Sequence, residues 1–212
     1  MKKILVASAL ALFVSINTIQ LSAQAPAPGV VDQKALAAQV EVNSIKFGAA
    51  RIGSDSWMEA EIVLDVKPGG RAVAGQFVDD VRVTLNLGFE SPEAPSGPPK
   101  LFYRSTATFI TLEGGRQTVR FYLPPEVVKR DRLRTPVKFY SVEIEAGGTA
   151  QTPGRANAAT GFTSAASVQN FQSTVASESR ANEGVLMPQH LTPFNGDSQR
   201  ATSTALRREP QR

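Results

Sequence analysis

The chain has 212 residues, of which 42% are hydrophobic and 20% are charged, as is typical of a globular protein and not of a disordered one. It contains no cysteine, which excludes a disulfide scaffold, a thiolate metal site and a lipid anchor on cysteine. The formal charge of +4 falls to +2 without Lys2 and Lys3, so the charge balance gives no support for nucleic-acid binding.

Residues 1–25 have the parts of a secretory signal peptide. Lys2 and Lys3 precede an apolar run from Ile4 to Val14, and small residues surround Ala23. Polar residues interrupt the apolar run before it reaches the roughly 20 residues of a membrane span. We predict cleavage, with no transmembrane segment in the mature chain and export to the periplasm, the outer surface or the medium. An uncleaved N-terminal anchor is the alternative.

Residues 26–39 are predicted to form a linker, and residues 40–149 the folded domain, beginning with a strand at 40–47. The strand pattern is clearest at 58–66. Successive side chains of a strand point to opposite faces, so an apolar residue at every second position predicts one face in a core and the other in water. The apolar positions here are Met58, Ala60, Ile62, Leu64 and Val66, and Glu59, Glu61 and Asp65 lie between them.

The same alternation recurs along the rest of the domain, at 81–87, 101–112, 117–123 and 137–145. The short connection at 113–115 contains two glycines and predicts a hairpin. Residues 91–99 contain four prolines and are predicted to form a loop outside any sheet interior. Prolines at the start, an acid in the first turn and bases behind it predict one short helix near 125–133.

These elements predict an all-β protein, an immunoglobulin-like antiparallel β-sandwich of six to eight strands, within a segment of about 110 residues that can bury its own core. A small closed barrel is the alternative. Residues 150–212 are predicted to be a polar, low-complexity tail, poorly ordered or weakly helical, that is dispensable for folding. Apolar residues at helical spacing predict a short helix at 164–178 within it: Val168, Phe171 and Val175.

The sequence offers little catalytic chemistry. Its only histidine, His190, falls in the tail, and no nucleotide-binding or hydrolase motif is present. We therefore predict no enzyme activity, cofactor or metal site. The acidic residues on outer strand faces are expected to pair across strands with bases such as Arg116 and Arg120, and Trp57 is expected to be a core or rim residue.

The segment of the predicted helix also carries the densest positive charge. We predict that it forms a patch for an anionic partner, such as a polymer or an acidic protein face, and the alternative is a solvated helix end. Four residues form this patch: Lys129, Arg130, Arg132 and Arg134.

The signal, the strand at 40–47, the alternation at 58–66 and the long polar tail resemble secreted proteins of Akkermansia-type Verrucomicrobia that are encoded with type IV pilus-like assembly genes. Members of that group have an immunoglobulin-like domain related to domains of archaeal pilus and archaellum proteins. The resemblance implies a non-enzymatic accessory or structural role in a pilus-like or secretion apparatus of the envelope, with its assembly proteins as partners. The alternative is a glycan- or host-surface-adhesion module.

Overall fold

The computed structural model describes residues 37–70, 76–91, 94–152, 154 and 156–200, so the predicted signal peptide and most of the predicted linker lie outside the described residues. Two α-helices are described, α1 (Pro125–Arg130) and α2 (Ala165–Glu178). Eight strands are described in chain order: β1 (Gln39–Ile52), β2 (Asp55–Lys67), β3 (Phe77–Ser91), β4 (Ala94–Glu113), β5 (Gly115–Leu123), β6 (Phe139–Ala146), β7 (Thr149–Ala150) and β8 (Met187–Pro188).

The strands form two four-stranded antiparallel sheets. The first sheet has the order β1-β2-β5-β8 and the second has the order β4-β3-β6-β7. β1-β2-β5 correspond to strands A-B-E of an immunoglobulin domain, and β4-β3-β6-β7 correspond to C′-C-F-G. This order confirms the predicted all-β immunoglobulin-like sandwich. β8 comes from beyond the sandwich and lies beside β5, where a constant-type domain has strand D.

The alternation at 58–66 faces the core between the two sheets, as predicted. Met58 is 6% exposed, and Ile62 and Leu64 are fully buried. From the opposite sheet, Val83 and Leu85 are also fully buried in the same cluster. Each sheet therefore contributes its apolar face to one core, and the outer faces carry the polar positions.

The start of β4 differs from the prediction. Residues 94–99, expected to lie in a loop, belong to β4, and Pro99 lies opposite Glu90 on β3. β4 is the outermost strand of the second sheet, where proline, which has no backbone N–H, is tolerated. The short helix is present as α1, with Pro125 at its first position and Glu126 in its first turn.

Residues beyond 150 pack on both sheets, so the packed structure continues past the predicted boundary at 149. α2 begins with a capping box, in which Ser164 and Ser167 exchange hydrogen bonds. Its buried residues Phe171 and Val175 pack against Phe102 on the outer face of the second sheet. No helix among the described residues is long and apolar enough to span a membrane.

The segment that follows α2, residues 179–200, crosses to the first sheet, and we call it the strap. Leu186 enters the main core at 2% exposure. Met187 and Pro188 pair with Tyr122 and Phe121 of β5. Phe194 then stacks on the outer side of Tyr122, with ring centroids 4.5 Å apart. The strap is thus held by a core anchor, a short strand and an aromatic stack.

Candidate binding groove at the edge of the second sheet

The hydrogen bonds of β6 determine which backbone groups of the second sheet face outward. The N–H of Val142 donates to the carbonyl of Asn157 at 2.7 Å, and the N–H of Ala159 donates to the carbonyl of Tyr140 at 3.0 Å. The even-numbered residues of β6 therefore bond on the side away from β3. Because residues of an antiparallel ladder alternate in direction, the odd-numbered residues of β6 bond to β3.

The register carries this alternation to β4. Ser141 of β6 lies opposite Asn86, so even-numbered residues of β3 bond to β6 and odd-numbered ones bond to β4. Leu85 lies opposite Ser105, so odd-numbered residues of β4 bond to β3. The even-numbered residues of β4 consequently direct their N–H and C=O groups away from the sheet. Within the described residues, no strand pairs with this side of β4.

One contact of the strap agrees with this assignment. The side-chain amide of Asn182 donates to the carbonyl of Phe102 at 3.0 Å. Phe102 is an even-numbered residue of β4, so its carbonyl points outward as the register requires. Next along the strand come Arg104, Thr106 and Thr108, whose backbone groups point the same way.

A groove of about 1090 Å³ runs beside this part of β4. One side is formed by β3 and β4, through Arg82, Arg104, Thr106 and Thr108. The other side is formed by the end of α2 and the strap, including Arg180, Glu183, Met187, Pro188 and His190. The groove thus combines a strand edge that no described strand pairs with and a lining that is partly apolar and partly cationic.

Three guanidinium groups line the groove, and none of them has a carboxylate of the described residues within ordinary hydrogen-bond length. Arg82 lies 3.6 Å from Glu145, and Arg104 lies 3.8 Å from Glu143. Both separations exceed ordinary hydrogen-bond lengths. Arg180 forms no ion pair with any described residue, and Glu183 is the single carboxylate among the described lining residues. The lining can therefore accept additional carboxylates.

A side-chain network on the outer face of the second sheet holds two residues that line the groove, Arg104 and Thr106. Asn86 is fully buried, and its side-chain amide N–H donates to the carboxylate of Glu143 at 2.6 Å. Its side-chain oxygen Oδ1 accepts a hydrogen bond from Nε of Arg104 at 3.2 Å. The hydroxyls of Thr84 and Thr106 are 2.8 Å apart. Asn86 and Thr84 lie on the outer face, as the sequence predicted, but both are buried because longer side chains surround them. The network holds Arg104 in position.

The predicted basic patch lies elsewhere, around the loop after α1, and all four residues are exposed. Arg130 forms two hydrogen bonds with the carboxylate of its neighbour Asp131, at 2.8 and 2.7 Å. Arg132 and Arg134 line a separate cleft of about 420 Å³, whereas Lys129 and Arg130 do not. Arg130 is therefore neutralised by Asp131, whereas Arg132 and Arg134 line the cleft, and the binding role of the patch stays a prediction.

Asp131 fixes the end of α1 in place. Its carboxylate also accepts a hydrogen bond from the hydroxyl of Tyr103, which is fully buried. The hydrogen bond from Arg130 lowers the pKa of Asp131, and burial raises the pKa of Tyr103. Asp131 is therefore ionised at neutral pH and joins α1 to β4.

The predicted cross-strand ion pairs are present on the first sheet. Arg120 bonds to Glu61 at 2.7 Å, and Arg116 lies 3.7 Å from Asp65. On the second sheet the acids pair with different bases, Glu143 with Arg104 and Glu145 with Arg82. The faces were thus predicted correctly, but the partners on the second sheet depend on the strand order.

The strap extends the ion-pair network of the first sheet. Arg200 donates to Glu59 at 3.1 Å and to Asp197 at 2.5 Å, and Tyr122 donates to Glu59 at 2.7 Å. Burial raises the pKa of Tyr122, and the hydrogen bond from Arg200 lowers the pKa of Asp197. Trp57 packs edge-on against Phe194, with ring centroids 5.6 Å apart. These contacts make the outer face of β2 and β5 a docking site for the strap.

No protein-family profile matches the chain. No curated protein matches it either. The fold is similar to that in a crystal structure of a protein from Akkermansia muciniphila, with a TM-score of 0.59, 15% sequence identity, and coverage of 81% of this chain and 94% of the other. At this identity the similarity establishes a shared fold. β1 to β7 span little more than half of the chain, so the match includes residues beyond them.

Sequence reasoning missed the groove. The alternation at 101–112 shows which side chains share a face, and the alternation at 81–87 predicts an outward Arg82, which is 47% exposed. Nothing in that alternation shows that β4 is an edge strand, because strand order is a property of the whole sheet. The proline cluster before residue 100 was the one available signal, since proline is typical of sheet edges.

Proposed function

We propose that this protein is an exported, non-enzymatic interaction module, accessory to a type IV pilus-like or secretion apparatus in the cell envelope. The observation that supports this function best is the outer side of β4, which lies beside a groove and pairs with no strand of the described residues. A sheet edge of this kind presents a row of backbone donors and acceptors that can pair with a segment of another protein. The signal-like N-terminus and the pilus-associated resemblance suggest the compartment.

The distribution of proline along β4 favours a functional edge. Proteins protect exposed edges with proline and charge, because an unprotected edge pairs with other chains. Prolines 95, 98 and 99 occupy the first residues of β4, whereas residues 101–112 contain none. The stretch beside the groove has therefore kept its backbone donors. Retention of these donors fits a strand that pairs with a specific partner.

The alternative function, glycan or surface adhesion, would require a platform of exposed aromatic rings. Phe77 is the one exposed aromatic side chain among the described residues, at 54% exposure. Trp57 is half-buried against Phe194. The geometry therefore favours a protein partner over a sugar.

Affinity capture tests the proposed function. The full-length, tagged protein would be recovered from cross-linked envelopes of its own organism, with an unrelated exported protein carrying the same tag as the control. We expect pilus-like or secretion subunits to co-purify with this protein and not with the control. Recovery of the protein alone, from the medium, would contradict the proposal, and glycan binding would then become the next measurement.

A further inference from the structure

Resting on the proposed function, we propose that the outer side of β4 binds an extended segment of a partner protein with acidic side chains at alternate positions. The segment would lie in the groove as an added strand of the second sheet. This inference specifies the surface and the chemistry of the partner, which the proposed function leaves open.

The backbone of β4 supplies the first requirement. Arg104, Thr106 and Thr108 direct their N–H and C=O groups outward at a spacing of two residues, as an added strand requires. The register between β3 and β4 is unbroken from Phe89 to Val81, so this edge is regular. An extended segment can therefore form a continuous ladder along it.

The side chains supply the second requirement. In an added strand, alternate side chains lie on the same outer face as Arg104 and Thr106, about 5 Å from their neighbours. Arg82 and Arg104 are 47% and 40% exposed on that face, and Arg180 approaches from the strap. A guanidinium group matches the two oxygens of a carboxylate. Acidic residues at alternate positions would meet these three groups.

The partner must be another protein. The strap is already paired, because Met187 and Pro188 form the bridge to β5. The acidic alternating segments of this chain, on β2 and β6, lie between two neighbouring strands each. They cannot pair with a second copy without disrupting their own sheets. An acidic segment must therefore come from a different chain.

A proline substitution tests the backbone pairing directly. Thr108→Pro removes an outward N–H but no N–H that bonds to β3, so the sheet should persist. Thr108→Ala is the matched control, since it shortens the same side chain and keeps the N–H. Arg180→Glu is a second variant on an exposed residue of the strap, and it tests the charge without touching β4.

The probe is a fluorescein-labelled peptide, Thr-Glu-Val-Glu-Val-Glu-Thr, compared with the same peptide carrying Lys at the Glu positions. We expect the acidic peptide to bind the wild type and the Ala variant equally and the Pro variant at least tenfold more weakly. Arg180→Glu should weaken acidic binding severalfold and raise lysine-peptide binding. Equal binding of the two peptides, no binding of the acidic peptide to the wild type, or full affinity of a folded Pro variant would overturn the inference.

Envelope capture with the same variants separates the two proposals. Loss of the co-purifying subunits with Thr108→Pro, but not with Thr108→Ala, would support the strand edge as their binding site. If Thr108→Pro captures the same subunits as the wild type, the proposed function stands and the strand-edge inference fails. If the wild type captures no envelope subunit, the proposed function itself fails. Circular dichroism spectra of each variant confirm that the fold is retained.

Discussion

The sandwich at 39–150 and the C-terminal region at 156–200 are held together in different ways. In the sandwich, whole strand faces are buried, as in β2, where five alternating apolar residues point into the core. In the C-terminal region, single anchors such as Phe171, Leu186 and Phe194 enter separate sites on the sandwich. A repeated pattern can be recognised in a sequence, whereas isolated anchors among polar residues resemble a disordered segment.

The anchors also depend on space that the sandwich provides. Gly88 on β3 lies beneath the ring of Phe171, and a Cβ at this position would lie 2.9 Å from that ring. The glycine therefore allows α2 to approach the sheet. The anchor and its receptor must fit together, although about eighty residues separate them in the chain.

Truncation after Ala150 tests whether the sandwich can fold without the C-terminal region, and it should have the largest effect. We expect the shortened chain to unfold or aggregate, because the sites of Leu186, Phe171 and Phe194 become exposed. Each lost anchor represents about 1.5 to 3 kcal/mol of apolar burial. A chain ending at Arg200 retains all the described residues and is the control. Circular dichroism and size-exclusion chromatography measure the outcome, and a cooperative, monomeric truncated chain would show that the sandwich is independent.

Phe194→Ala tests one anchor alone. Phe194 is 2% exposed and stacks on Tyr122, so we expect a loss of about 3 to 5 kcal/mol in the free energy of unfolding. Leu191→Ala is the matched control, because Leu191 lies on the same strap at 58% exposure. Chemical denaturation measures both, and equal small effects would mean that the strap is only loosely attached.

Leu64→Ala tests the core of the sandwich through the same quantity, the free energy of unfolding. Leu64 is fully buried between the sheets, and its truncation should cost about 2 to 5 kcal/mol. In a two-state transition the loss should be seen equally by fluorescence of Trp57 and by circular dichroism. An unchanged midpoint would contradict the assignment of the inward face.

Gly88→Ala tests the fit between the two regions. The added methyl group would collide with Phe171, and we expect destabilisation of about 1 to 3 kcal/mol. Gly48→Ala is the control, since no atom lies within 4 Å of a Cβ at that position. Relative to the wild type, Gly88→Ala should increase amide hydrogen exchange in α2 more than in β2. Unchanged exchange of α2 would refute the close fit.

The smallest effect concerns pH at the end of α1. Because the pKa of Asp131 is lowered in the folded state, its contribution to stability is present above its unfolded pKa of about 3.9 and is lost as the pH falls through the lower folded pKa. Asp131→Asn should therefore reduce the fall in stability at acid pH. Urea denaturation at pH 6 and pH 3 measures the free energy of unfolding of each protein. An identical loss between the two pH values in the wild type and the variant would contradict the prediction.

The sequence alone was sufficient to predict most strands of the sandwich, their inward faces, both helices and the class of fold. Alternation over 58–66 and 81–87 follows from the geometry of a strand, and the helix at 164–178 was predicted from the spacing of its apolar residues, so both are local properties. The ion pair of Glu61 with Arg120 agrees with the prediction that acids on outer strand faces pair with bases across strands, because outward side chains of neighbouring strands lie side by side.

The packing sites of the C-terminal region and the position of β4 at a sheet edge could not be predicted from the sequence, because both depend on the assembled sheets. The position of Leu186 in the core and of Phe194 on Tyr122 depends on sites that exist only once the two sheets have formed. The outward direction of the Thr106 and Thr108 backbone likewise depends on the order β4-β3-β6-β7. The sequence encodes these features through contacts between distant residues, and such contacts leave no periodic pattern along the chain.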